Sequence, residues 1–119
     1  MIHHLLNHGD KTLHLTIPGD LVSPHADSAK KEIVSLFEST AVKSAGWTTL
    51  KLDLSSAQRV DSVGLDFLVF LYKEAKKVNA KTVAMISDIN VHRALLFSRF
   101  DTHIQVIMAN KTASVMSAI

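Results

Sequence analysis

Apolar and polar residues alternate along Lys11–Ile17, with Leu13, Leu15 and Ile17 on one side, which predicts a strand buried on one face. Ile2–Leu6 precedes it, and Asn7-His8-Gly9-Asp10 between them is turn chemistry, so the chain opens on a predicted β-hairpin. Pro18-Gly19-Asp20 ends the second strand. Ser23-Pro24 then predicts a helix start, because serine accepts hydrogen bonds from free N–H groups and proline at the first helical position loses none. Ala26, Ala29, Ile33, Leu36, Phe37 and Thr40 recur at three-to-four spacing, which predicts an amphipathic helix to about Ala45, closed by Gly46.

The pattern switches back to alternation at Trp47–Leu54, where Leu50, Leu52 and Leu54 share one side. A second helix is expected from Ser62 to Val78. Thr82–Ile86 reads as a buried inner strand between Lys81 and Ser87, and Asp88 or Asn90 is the expected cap of a third helix, Val91–Ser98. Ile104–Met108 reads as a last strand. Val115, Met116 and Ile119 carry the spacing of a closing helix. A hairpin followed by alternating helices and strands predicts an α/β fold: a mixed, mostly parallel sheet with an antiparallel hairpin at its start and right-handed crossovers. Parallel pairing is expected near Leu50, Val83 and Val106, with helices starting near Pro24, Val63 and Asn90. No linker or internal repeat divides residues 1–119, so one domain is expected.

Composition narrows the function classes. Apolar residues make up 47% and charged ones 20%, near the averages of globular domains, which excludes a disordered tail or a fibre. The longest unbroken apolar stretch is Phe67–Tyr72, far short of the roughly 20 residues that a membrane span needs. The first six residues lack the basic start and long apolar run of a signal peptide. With no cysteine, disulfides, thiolate catalysis and zinc ribbons are excluded, as suits a cytoplasmic protein. The net charge of +2 comes from scattered lysines and arginines; Lys30-Lys31 and Lys76-Lys77 each have a glutamate close by and read as solvated helix faces, not a nucleic-acid surface.

Catalytic motifs are missing: there is no G-x-S-x-G elbow, no phosphate-cradling glycine loop and no H-E-x-x-H. His3, His8 and His14 fall in or beside the hairpin, but their spacing demands no metal, and no cofactor is expected. Asp61-Ser62-Val63-Gly64-Leu65 stands out, because it joins a strand to a helix and puts Ser62 where that helix begins. Serine as a cap, aspartate at the positive helix end and glycine for tight packing would account for it structurally.

The longer stretch Leu52-Asp53-Leu54-Ser55-Ser56-Ala57-Gln58-Arg59-Val60-Asp61-Ser62-Val63-Gly64-Leu65 resembles the signature of STAS domains, in particular the bacterial anti-sigma factor antagonists. In that family a strand ending in D-L-S leads through a short loop into D-S-[ST]-G at a helix start. Pro18-Gly19-Asp20-Leu21, Leu68 through Lys77 and Val91-His92-Arg93-Ala94-Leu95 resemble further family segments. Val63 departs from the Ser or Thr usual at its position.

The resemblance implies a binding module, not an enzyme. It would bind an anti-sigma factor that is also a serine kinase of the GHKL type, and so free a sigma factor. The kinase would phosphorylate Ser62, and a metal-dependent serine phosphatase would reverse this. Asp61, Ser62, Val63, Gly64 and Asp66 are the expected partner-binding residues around the acceptor. On a helical wheel Phe70 falls within the charged face formed by Asp66, Lys73, Glu74, Lys76 and Lys77, which adds it as a contact residue. The same wheel assigns Leu65, Leu68, Leu71, Tyr72, Ala75 and Val78 to the core. The alternatives are a constitutive STAS subunit of a lipid ABC transporter or stress-sensing assembly, and a hydrolase using Ser62, which would need a base that no sequence neighbour supplies.

Overall fold

The computed structural model describes residues 2–109. The hairpin is formed by β1 (His3–Asn7) and β2 (Thr12–Thr16), which pair antiparallel with Leu6 opposite Leu13. Asn7 Oδ1 accepts from the N–H of Gly9 at 2.9 Å, which closes the turn between them. After α1 (His25–Glu38) and α2 (Thr40–Lys43), β3 (Thr49–Asp53) pairs parallel to β2. Helix α3 (Ser62–Lys77) leads to β4 (Lys81–Ile86), and α4 (Ile89–Phe97) leads through a 3₁₀ turn at Phe100–Thr102 to β5 (Gln105–Met108). The sheet runs in the order β1-β2-β3-β4-β5, and only the hairpin pair is antiparallel. The expected α/β architecture is therefore present. The expected closing helix at Val115, Met116 and Ile119 lies outside the described residues.

Because the parallel connections all step in one direction, right-handed crossovers put their helices on one face of the sheet. Burial agrees. Leu13 and Leu15 of β2, Leu50 and Leu52 of β3 and Ala84 and Ile86 of β4 are fully buried in one cluster with Ile33, Phe67, Leu68, Leu71, Val91 and Leu95 of the helices. The other face carries His14, Thr16, Lys51 and Asp53, each half-buried, at the alternate positions of β2 and β3. β2, β3 and β4 end at the same edge, and the loops that leave it hold Asp20, Asp61 and Asp88.

Several local expectations need correction. The helix expected to reach Ala45 ends at Glu38: Ser39 turns extended (ψ 142°), and its hydroxyl donates to the Leu36 carbonyl at 2.7 Å. Such side-chain bonds offer the backbone an alternative to continuing the helix. The turn brings Val42 into the core and stacks Trp47 on Phe37 at 6.0 Å between ring centroids. Gly46, with φ of +69°, follows the short α2 and does not cap α1. Ser23-Pro24 also lies outside the helix: Pro24 flanks α1, and no side chain caps that end.

Candidate functional site

Two loops at the carboxyl edge of the sheet build the surroundings of Ser62. One follows β2 and contains Asp20, Leu21 and Ser23; the other follows β3 and contains Arg59, Val60 and Asp61. They extend the parallel pairing past the strands: the Leu21 N–H donates to the Arg59 carbonyl at 2.9 Å, and the Asp61 N–H to the Leu21 carbonyl at 3.1 Å.

Each loop also sends an aspartate into the other. Asp20 Oδ1 accepts the N–H groups of Gln58 at 2.8 Å and Arg59 at 3.3 Å, while its Oδ2 meets the Arg59 guanidinium at 3.2 Å. Asp61 Oδ2 accepts the N–H of Ser23 at 3.0 Å, and its Oδ1 accepts that of Gly64 at 2.9 Å. Asp61, not Ser62, is thus the cap of α3. Backbone N–H groups stabilise the ionised carboxylates, so both are held below the ordinary aspartate value: Asp20 chiefly by the Gln58 N–H, Asp61 by those of Ser23 and then Gly64.

Gly64 completes the frame. It is buried against the other loop, and a Cβ built on it would lie 1.9 Å from the Leu21 carbonyl oxygen. No residue with a side chain fits there without moving the backbone of either α3 or the β2–α1 loop. Ser62 is the first residue of α3, exposed, with no hydrogen bond to its hydroxyl among the described residues. Asp66 is exposed one turn on, and Val63 is half-buried against the core. Asp53 anchors the start of the β3–α3 loop by accepting the Ser55 N–H at 3.0 Å and hydroxyl at 2.6 Å. The Ser87 hydroxyl donates to the Ser55 carbonyl at 2.6 Å, tying in the loop before α4.

The structure thus brings Asp61, Ser62, Val63, Gly64 and Asp66 together and leaves Phe70 apart, about two helical turns away. Phe70 is also less open than its wheel position suggests. It is half-buried between α3 and α1, with the Lys30 ammonium 5.0 Å from its ring centroid. Phe67 points fully into the core instead, while Val78, expected inside, is 51% exposed. Asp20 and His25 are site-building residues whose roles the sequence pattern does not single out; His25 Nε2 donates to the Pro18 carbonyl at 2.7 Å and backs the β2–α1 loop. Among the described residues no group of three or more His, Asp or Glu side chains is placed to hold a metal ion.

The profile of the STAS domain family matches residues 5–113. The chain belongs to the STAS domain family. The fold is shared with TM1081 of Thermotoga maritima, a candidate anti-sigma factor antagonist, at a TM-score of 0.73 and 18% identity over 100% of this chain and 94% of that one. An anti-sigma factor antagonist from Mycobacterium paratuberculosis matches at 0.68 and 17% identity, over 98% of this chain and 93% of the other. The Bacillus anti-sigma factor antagonist SpoIIAA, in its unphosphorylated form, matches at 0.62 and 13% identity, over 99% and 97%. A search of curated protein sequences finds no match. Within this STAS domain, D-L-S and D-S-x-G are the residues that fold the β3–α3 loop and seat it on its neighbour.

Two outcomes test this frame. Gly64→Ala gains about 1 kcal/mol of helix propensity, yet it is expected to destabilise the fold by about 1–3 kcal/mol or more through overpacking. A urea melt of equal or greater stability would show that the Leu21 contact is not limiting. The two aspartates predict an acid dependence. Because their folded values are depressed, their contribution is fully present above the unfolded value near 3.8 and is lost as pH falls through the lower folded values. The stability gap between the wild type and an Asp20→Asn, Asp61→Asn double variant should therefore close below that value, as read from urea midpoints across acid pH. A gap independent of pH would refute it.

Proposed function

We propose that this STAS domain is an anti-sigma factor antagonist: a cytoplasmic, non-enzymatic binding module switched by phosphorylation of Ser62. The observation that carries the reading is the exposed, unbonded Ser62 hydroxyl on the first residue of α3, framed by two loops that do not depend on it. The likeness to anti-sigma factor antagonists supports the general role, and SpoIIAA has been solved both unphosphorylated and phosphorylated. The partner is an anti-sigma factor serine kinase of the GHKL type, which the unmodified domain engages through Asp61, Ser62, Val63, Gly64 and Asp66. A metal-dependent serine phosphatase resets the switch.

The energetics suit release without unfolding. Phosphorylation adds about −1.5 to −2 charges and three acceptor oxygens at an exposed position. An interface closed over the neutral hydroxyl would have to bury that charge beside Asp61 and Asp66. An unpaired buried charge costs several kcal/mol, and even about 3 kcal/mol is a hundredfold or more in affinity. Val63, which departs from the Ser or Thr that the resemblance to the family leads one to expect, is the one feature that favours the alternative of a constitutive subunit without a switch.

Ser62→Ala should keep kinase binding and abolish labelling by kinase and ATP, and Ser62→Asp should weaken binding in part, since one carboxylate carries less charge than phosphate. Labelling of another residue in the wild type would overturn the assignment, and the absence of labelling would favour the constitutive subunit.

Phe70 tests how far the interface extends. Phe70→Ala is expected to cost about 1–3 kcal/mol of stability, less than the roughly 3–5 kcal/mol of a fully buried phenylalanine, because only part of the ring is enclosed. If its exposed edge meets the kinase, calorimetry will read an affinity loss of about 1–2 kcal/mol. Unchanged affinity would confine the interface to the surroundings of Ser62.

A further inference from the structure

On α4, Val91 and Leu95 point into the core, and the opposite side carries Ile89, Arg93, Leu96 and Phe97. These positions follow i, i+4, i+7 and i+8 spacing, so they form one stripe along the helix. Ile89 is 53% exposed, Leu96 45% and Phe97 88%. Single exposed apolar residues need no explanation, but three on one stripe, with an almost wholly uncovered phenylalanine, mark a contact surface. Arg93 stands in the middle of the stripe, exposed and without an ion-pair partner among the described residues. Asp88, the acid nearest in sequence, is engaged as the cap of α4 through the N–H groups of Asn90 and Val91.

That cation selects among occupants. A second copy packed symmetrically along this nine-residue helix would bring its middle residue onto the two-fold axis, so Arg93 would face Arg93. The segment 110–119 contains Lys111 and no Asp or Glu, so it offers Arg93 no acidic side chain. An anionic membrane surface is recognised by clusters of about 4–8 Lys or Arg, and this region has Arg93 and Arg99 alone. A straight stripe about 13 Å long fits a helix laid alongside it.

We propose that the outer face of α4 is a second protein-docking surface, which takes an amphipathic partner helix whose apolar residues cover Ile89, Leu96 and Phe97 and whose central acid pairs with Arg93. None of its residues is among those around Ser62, and it does not rest on the phospho-switch.

The test uses the full chain and a helix-stabilised peptide with leucines at i, i+3, i+4 and i+7 and one central glutamate, followed by fluorescence anisotropy. Saturable binding is expected, at least about tenfold tighter than for the same peptide with lysine in place of the glutamate. Arg93→Glu should reverse that preference, and Phe97→Ser should abolish binding while leaving the urea midpoint unchanged. Equal binding of the two peptides, or no binding, overturns the proposal. So does a concentration-dependent dimer in sedimentation that Phe97→Ser removes, which would make the occupant a second copy. Shifts of the Leu96 and Phe97 NMR signals on deletion of residues 110–119 would assign the stripe to that segment instead, and binding to anionic vesicles lost in Arg93→Glu would assign it to a membrane.

Discussion

The contact between Gly64 and the Leu21 carbonyl leaves no space for a Cβ, and the position of α3 follows from it. A helix can approach a backbone so closely only where its residue has no side chain. Once α3 is seated there, its first turn lies against the β2–α1 loop, and the N–H of Gly64 is within reach of Asp61. The same Asp61 holds Ser23 of that loop, while Asp20 of that loop holds Gln58 and Arg59. Each carboxylate satisfies N–H groups that the end of a strand or the start of a helix would otherwise leave open. The two loops therefore hold one another, and neither uses Ser62 to do it.

The sheet gives this frame its place. Parallel strands normally need both faces covered, yet here the helices occupy one. The sequence accommodates that by alternation: Leu13, Leu15, Leu50 and Leu52 face the helices, and His14, Thr16, Lys51 and Asp53 face away. The parallel strands deliver their loops to one edge, where Asp20 and Asp61 bind one loop to the other. Asp53 belongs to both features, since it ends β3 on the outer face and its carboxylate starts the loop through Ser55.

Elements with a strong period were legible from the chain alone. The hairpin, β3 and β4 follow alternation or a short apolar run, and the start of α3 follows from the D-S-x-G stretch. What stayed hidden depends on contacts that no local window contains. Asp20 reads as part of a strand-breaking turn until Gln58 and Arg59, 38 and 39 residues away, are placed beside it. Ser23 has the chemistry of a cap, but its N–H is drawn to Asp61 and the helix starts beyond Pro24 without it. The break at Ser39 reflects a hydroxyl competing for a helical carbonyl, which apolar spacing does not register. Phe70 lies under α1 and Lys30, a contact between helices that the periodicity of α3 alone does not contain.

The frame also determines where a new charge at Ser62 would be felt. A helix N-terminus ordinarily offers a phosphate several free N–H groups. Here Asp61 already occupies that position: its carboxylate takes the N–H of Gly64 and is also stabilised by that of Val63. A phosphate on Ser62 would find the strongest internal donors taken and two carboxylates, Asp61 and Asp66, close in sequence. Its remaining partner is water, which an exposed position supplies at little cost to the fold. A protein closing over the site would have to strip that water away and provide donors of its own. The charge would thus act on association far more than on the domain, because the domain has already committed its N–H groups to Asp61.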